Sequence, residues 1–321
     1  MAKIRAAVIG VGHLGRFHAQ KYKMIDDVEL VCVCDASFER AQEIGGELNV
    51  KAEDDYRKLK GAVDVVTIAA NTTVHHEIAK FCLENGIHVH VEKPMTSTVD
   101  QAKELCKIAR DKKLKLQVGH VERFNPAFVA AKSKLTSPLF IECHRLAPFK
   151  PRSMDVSVVL DLMIHDLDVI LALVGKPVKN IAAVGTPVIT KNIDIANARL
   201  EFDGGVVANV TSSRVSQIAV RKFRVFQNNQ YLSMDFGGGE IQLLTKTGEL
   251  TSPDSLLPIQ RDTWNLEKGD ALLAETKSFV SAVKNNMSCE VSGEDGLVAL
   301  ELAEKITYEI DRNLANSHRS R

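Results

Sequence analysis

The sequence predicts an α/β chain of two domains. The first is a doubly wound parallel sheet; the second is an α+β domain on a mostly antiparallel, open sheet. Three observations point there. Over about the first 120 residues, short apolar runs alternate with amphipathic ones, which is the pattern of right-handed βαβ units. The first apolar run ends in Gly10-x-Gly12-x-x-Gly15. From about Leu139 the pattern becomes period-two strands broken by turn signals, notably Asp203-Gly204-Gly205 and Gly237-Gly238-Gly239.

Taken in order, residues 3–9 read as a strand and 16–23 as an amphipathic helix. Then come a strand at 29–34, a helix at 38–48, a strand at 63–69 and a helix at 74–85 ended by Gly86. A strand at 88–92, a helix at 98–111 and a strand at 116–118 complete the first domain, set at residues 1–122. The second domain, residues 123–321, opens its regular part with a helix at 158–174. Strands follow at 180–188, 194–201, 206–213, 222–227, 230–235 and 240–244. An antiparallel sheet of this kind can leave one face open for a partner subunit. Helices at 271–285 and 295–314 are expected to pack back on the first domain.

Bulk properties exclude several classes. Acidic and basic residues balance at 41 each, with 45% apolar and 26% charged residues among 321. Nothing in that balance marks a nucleic-acid surface, and no apolar run approaches the ~20 residues of a membrane span. Met1 to Arg5 lead directly into the first strand, so no secretory signal is expected. Cys32, Cys34, Cys82, Cys106, Cys143 and Cys289 lack metal or disulfide spacing. They read as reduced, small apolar residues of a cytoplasmic protein.

The glycine motif sits in its informative setting of strand, tight turn and helix. Gly10 allows the turn, Gly12 lets a pyrophosphate approach the backbone, and Gly15 lets helix pack close to strand. The pyrophosphate belongs at the helix N-terminus, where free N–H groups and the dipole favour an anion; His13 and Leu14 are assigned to cofactor binding with the glycines. This is the Rossmann arrangement for a dinucleotide. Asp35 closes the next strand 20 residues after Gly15. A carboxylate there accepts hydrogen bonds from the ribose of NAD and repels the 2′-phosphate of NADP. NAD is therefore expected, with Arg40, one helical turn on, as the residue that leaves NADP open.

Two further motifs carry chemistry. Val91-Glu92-Lys93-Pro94 ends a parallel strand, and ligands of doubly wound sheets bind beyond such ends. A lysine beside a cationic nicotinamide has its pKa lowered towards proton work. Asp161, His165 and Asp168 follow i, i+4, i+7 and share one face of a regular helix. A histidine flanked by carboxylates can accept a proton near neutral pH. No metal is expected, because no further His or Cys is spaced to complete a site, and the adjacent His75 and His76 point to different helix sides.

Together, Gly10-x-Gly12-x-x-Gly15, Glu92-Lys93-Pro94 and Asp161-x-x-x-His165-x-x-Asp168 resemble the Gfo/Idh/MocA family of oxidoreductases. The resemblance spans essentially the whole chain, including residues 74–79 and 292–296. It implies nicotinamide-dependent oxidation or reduction of a sugar or polyol carbon. In that reading Lys93 orients or deprotonates the reacting hydroxyl, His165 is the general acid/base, and Asp161 positions cofactor or substrate. Asn71, His75 and Glu92 join Lys93 at the cofactor; Ala70-Asn71 departs from the Thr-Pro frequent in relatives. The resemblance also implies a homodimer or homotetramer paired through the open sheet.

Residues 119–126 and 144–152 resemble one branch of that family, whose members oxidise the 3-hydroxyl of UDP-N-acetylglucosamine. The resulting 3-keto sugar goes to a transaminase, often for lipid A with amide-linked acyl chains. In this branch pattern Glu122 stands where many relatives carry an arginine. Arg123, Asn125 and Arg152, with Asp161 and His165, are the expected substrate residues, and Arg145 and Lys150 add guanidinium and ammonium groups for a sugar diphosphate. Another sugar, sugar-acid or inositol dehydrogenase, or a non-catalytic NAD- or sugar-sensing regulator, are the alternative readings.

Overall fold

A computed structural model describes residues 2–150, 156–249, 258–267 and 269–319. The first part of the chain alternates β1 (Ile4–Ile9), α1 (His13–Lys23), β2 (Val28–Cys34), α2 (Phe38–Leu48), β3 (Lys51–Glu53), β4 (Val65–Ile68), α3 (Thr72–Glu84), β5 (His88–Glu92), α4 (Val99–Asp111) and β6 (Leu116–Gly119). All six strands pair in parallel in the order β3-β2-β1-β4-β5-β6. That is the doubly wound order, with its switch point between β1 and β4, where such sheets bind ligands.

The later part contains α5 (Pro126–Ala131), β7 (Pro138–Leu146), α6 (Ile164–Val174), β8 (Val178–Thr186), β9 (Ile195–Phe202), β10 (Val207–Ser213), β11 (Val220–Gln227), β12 (Gln230–Asp235), β13 (Glu240–Lys246), β14 (Ile259–Asn265), α7 (Ala271–Lys284) and α8 (Gly293–Arg319). The sheet order is β14-β13-β12-β11-β7-β10-β9-β8. Every neighbouring pair is antiparallel except β7 with β10. No helix among the described residues is long and apolar enough to cross a membrane.

The contacts divide the chain into two units. The first holds Met1–Val121 with Asp270–Leu300, and the second holds Glu122–Gly269 with Glu301–Arg321. In the first, Ala6, Val8, Tyr22, Leu30 and Val65 share a core with Phe279 and Val280 of α7. Ion pairs Lys21–Asp270 and Lys284–Asp27, each at 2.7 Å, flank that contact. Helix α8, set by sequence in the second domain's range and expected to pack back on the first, is divided between the two units at Leu300/Glu301. Its C-terminal half lies on β8, where Asn313 donates to the Ala183 carbonyl at 2.9 Å.

Several elements escaped the periodicity. β3 is three residues long, and β14 is exposed along most of its length, so neither carries an apolar alternation. β7 alternates, but its inward positions are Ile141, Cys143 and Arg145. A buried arginine breaks the apolar reading. Arg145 donates through Nε and Nη2 to both oxygens of Asp166 at 2.8 and 2.9 Å, and through Nη1 to Glu122 at 2.8 Å. The six cysteines are free thiols. Burial pushes Cys32 up to about 11 and Cys34 to about 12.

Asp194, fully buried before β9, accepts from the backbone N–H groups of Val188, Ile189 and Thr190 and from Arg214 Nε. Burial pushes its carboxyl up, but these donors outweigh it and hold it well below the usual range. The stabilisation is therefore complete above an ordinary aspartate pKa of about 4 and is lost as pH falls towards the depressed value. Thermal midpoints of Asp194→Asn and wild type should differ by a constant amount between about pH 5 and 8 and converge below about pH 4. Arg145→Met leaves two buried carboxylates without their cation and should lower stability by about 3–5 kcal/mol in denaturant unfolding.

Candidate active site

The glycine turn is built by close approach. Gly10 has φ +83°, and a β-carbon there would lie 2.5 Å from the Ala70 backbone. A β-carbon on Gly15 would sit 1.8 Å from the Gly10 carbonyl oxygen. Gly12 differs: nothing lies within 4 Å of an added β-carbon. Helix α1 starts there without a side-chain cap, whereas Ser37, Asn71 and Thr98 cap α2, α3 and α4. The first-turn N–H groups, around the exposed His13 and Leu14, are thus open to an anionic ligand.

Asp35 holds this loop in shape. Its carboxylate accepts from Val11 N at 2.8 Å and Ser37 N at 3.0 Å. Arg40 holds the next peptide of the same residue, donating from Nε to the Val11 carbonyl at 2.9 Å, and pairs through Nη1 with Glu43 at 2.6 Å. A cavity of about 570 Å³ opens on Gly10, Gly12, Asp35 and Asn71. Its remaining wall includes Asp54, Asp55, Tyr56 and Arg57, which the sequence reading did not single out. Tyr56 donates to Glu77 at 2.6 Å, and the Arg57 guanidinium stands 4.7 Å over the Tyr56 ring. Open helix N–H groups, the Asp35 carboxylate and acidic neighbours fit NAD, whereas Arg40 is already engaged.

Beyond the strand ends, Lys93 is half-buried at the exit of β5, and its bond to Pro94 is cis. The buried His75 bridges two loops, with Nδ1 3.1 Å from the Pro94 carbonyl and Nε2 3.1 Å from that of Ala70. Burial lowers its pKa; the neutral ring has one N–H to donate. Asn71 caps α3, accepting from Thr73 N at 3.1 Å. Glu92, assigned to the cofactor from sequence, instead turns its carboxylate into the core, 2.7 Å from His18 Nε2.

In the second unit a π-helical turn, Val159–Met163, precedes α6. Asp161 lies in that turn and His165 in the first turn of α6, both half-buried. A π turn bonds i→i+5, so the backbone leading from Asp161 to His165 is not the regular helix that the sequence spacing assumed. Asp168 is buried, 3.8 Å from Arg123 Nη1. Asn125 caps α5, and its amide donates to Glu122 at 2.8 Å and to the Phe236 carbonyl at 3.1 Å. That amide has both donors engaged by protein, so Asn125 serves as a structural cap of α5. Arg152 lies outside the described residues. A cavity of about 150 Å³ is lined by Asp161 with Arg145, Lys150, Arg214 and Arg221. Arg214 and Arg221 come from the end of β10 and the start of β11, far from any motif, so the sequence reading missed them.

One group of metal-ligand types occurs among the described residues: His18, Glu92 and Glu275. His18 and Glu92 already meet at 2.7 Å, a hydrogen-bond distance. Two ligands each about 2 Å from a tetrahedral zinc stand further apart than that.

Residues 4–120 match an oxidoreductase family with an NAD-binding Rossmann fold, and residues 135–232 match the GFO/IDH/MocA C-terminal domain. The UDP-N-acetylglucosamine 3-dehydrogenase of Acidithiobacillus ferrooxidans is 36% identical, over 97% of this chain and 98% of its own. The chain belongs to the Gfo/Idh/MocA oxidoreductase family. The solved structure of that enzyme, GnnA, matches with a TM-score of 0.90 at 35% identity, covering 97% of this chain and 99% of that one. The scyllo-inositol 2-dehydrogenase (NAD(+)) of Bacillus subtilis is 28% identical over 94% of this chain and 92% of its own. This Gfo/Idh/MocA protein is thus an NAD-dependent oxidoreductase acting on CH–OH groups, of the sugar and polyol dehydrogenase type.

Asp35→Ala removes the charged acceptor that holds Val11 and faces the cofactor cavity. Hydrogen bonds to a charged group contribute about 1.5–3 kcal/mol, so NAD affinity should fall about 10- to 100-fold in calorimetric titration.

Proposed function

We propose that the protein oxidises the 3-hydroxyl of UDP-N-acetylglucosamine to the 3-keto sugar with NAD. The observation that carries the substrate is the likeness, over nearly the full length of both chains, to the Acidithiobacillus ferrooxidans enzyme of that name. The small basic cavity of the second unit supports it. Arg221 there is exposed and Lys150 projects to solvent, and both suit a sugar diphosphate. Arg145 and Arg214 are largely neutralised by Asp166, Glu122 and Asp194, so they shape the cavity wall more than they add net charge.

Gly10–Gly15 would hold the dinucleotide's pyrophosphate, and Asp35 would receive its adenosine ribose. When bound, NAD supplies the hydride acceptor. Lys93 orients the sugar 3-hydroxyl, His165 takes its proton as the C3 hydride leaves, and Asp161 fixes the ring. The products are a ketone, NADH and one proton. The ketone suits a transaminase, which would install the amine for amide-linked lipid A. The free cysteines suit a reducing compartment such as the cytoplasm. Alternate residues of β8 and β9 are exposed, which suits pairing into a dimer or tetramer across that sheet.

The test is NADH formation with NAD and UDP-N-acetylglucosamine, coupled to glutamate and a 3-keto-sugar transaminase. Sustained NADH and a 3-amino product are expected. NADH with inositol or another sugar alone would leave the protein an oxidoreductase and overturn this substrate. NAD binding without turnover on any sugar would favour a sensor. Lys93→Ala and His165→Ala should each cut turnover by at least ~100-fold, with NAD affinity little changed in direct titration.

A further inference from the structure

Glu92 precedes the lysine to which the reaction is assigned, yet it faces away from the cofactor cavity. Its carboxylate is held on three sides. Oε1 lies 2.7 Å from His18 Nε2, and Oε2 accepts the backbone N–H of Lys93 at 3.3 Å. A β-carbon on Gly119 would stand 2.9 Å from Glu92 Cδ and Oε2, so the carboxylate lies flat on the bare backbone of β6. His18 is fully buried, on the helix that opens the glycine loop. The His18–Glu92 contact therefore joins the helix of the cofactor loop directly to the peptide of Lys93.

We propose that His18 and Glu92 are positioning residues for Lys93: their buried contact fixes the lysine at the exit of β5 against the cofactor helix and keeps one negative charge beside it. The inference rests on the assignment of Lys93 to the reacting hydroxyl.

The groups facing Glu92 make the role testable by pH. They are His18 from α1, His75 from α3, His90 and Lys93 from β5, and Glu275 from α7; behind His90, Thr67 of β4 meets Tyr22 of α1. β6 contributes the Gly119 backbone. Burial pushes the Glu92 carboxyl up; the His18 hydrogen bond and the positive charge of Lys93 oppose it, and the carboxyl is held low. His90 is driven down to about 3, by burial and by neighbouring His18, and stays neutral through the working range. Tyr22 is raised by burial and stays protonated. Without His18 the burial of Glu92 is opposed by less, so its carboxyl rises and protonates as pH falls.

The experiment measures kcat, KM and NAD affinity from about pH 6 to 10 for His18→Leu, His18→Gln, Glu92→Gln and Lys93→Ala, using NAD and UDP-N-acetylglucosamine or whichever sugar supports turnover. His18→Leu should lose about 10- to 100-fold in kcat at neutral pH, with NAD affinity within about threefold, and recover as pH rises and Glu92 ionises. His18→Gln, whose amide can donate to the same carboxylate, should stay within about threefold of wild type. Glu92→Gln, nearly isosteric, should lose activity at every pH. A pH-independent loss in His18→Leu, or normal kcat in Glu92→Gln while Lys93→Ala is inactive, overturns the positioning role alone. Normal activity in Lys93→Ala overturns the assignment beneath it. If His18→Leu fails to fold, the Glu92→Gln and Lys93→Ala pair still decides.

Discussion

A β-carbon on Gly15 would lie 1.8 Å from the Gly10 carbonyl oxygen, so α1 can lean on the end of β1 only because that carbon is missing. From this one approach the cofactor end of the first unit takes its form. It aims uncapped helix N–H groups beyond the sheet. It brings Val11 within reach of the Asp35 carboxylate and of Arg40 on opposite sides. It also sets the phase of α1, one turn later, so that His18 points inward to Glu92 rather than out to solvent. The loop and the lysine peptide are consequently parts of one packed arrangement.

The second unit rests on a different constraint, which is charge placed inside a sheet. Arg145 fills an inward position of a central strand because Asp166 and Glu122 are there to receive it. Such an arrangement is weak evidence for stability, since replacement of the whole set by apolar residues is often neutral. It does fix geometry. The two-pronged contact with Asp166 ties β7 to α6 next to His165, and Glu122 ties the segment before α5 to the same guanidinium. Glu122, which looked from sequence like a departure from the family pattern, is the partner that this buried arginine requires.

How much was legible follows from where the signal lives. The doubly wound parallel sheet and the glycine turn could be read because βαβ alternation and bare glycine spacing are local properties. The Asp161–His165 spacing was legible as a motif, but the π turn that carries Asp161 was not, because such a turn leaves no mark in apolar periodicity. β7 was hidden by its own buried arginine, and β3 and β14 by shortness and exposure. Asp54 to Arg57 reach the cofactor cavity by way of a short edge strand and a 3₁₀ turn that carry no motif. The inward orientation of Glu92 depends on His18 and Gly119, which are distant in sequence, and no reading of Glu92-Lys93-Pro94 alone could give it.

The division of the C-terminal segment has a consequence for the order in which this protein comes into being on the ribosome. The six-stranded sheet is complete by Gly119, yet Phe279 and Val280 of its core and the buried Glu275 beside Glu92 come from residues 270–300. The second unit in turn waits for Glu301–Arg321, and its β7–β10 pairing closes a long loop before the sheet centre can form. Neither unit can finish vectorially. A nascent chain carries an apolar face and two incomplete units until residues 270–319 have emerged, so α7 and α8, which carry none of the assigned reactive groups, decide when both units are complete.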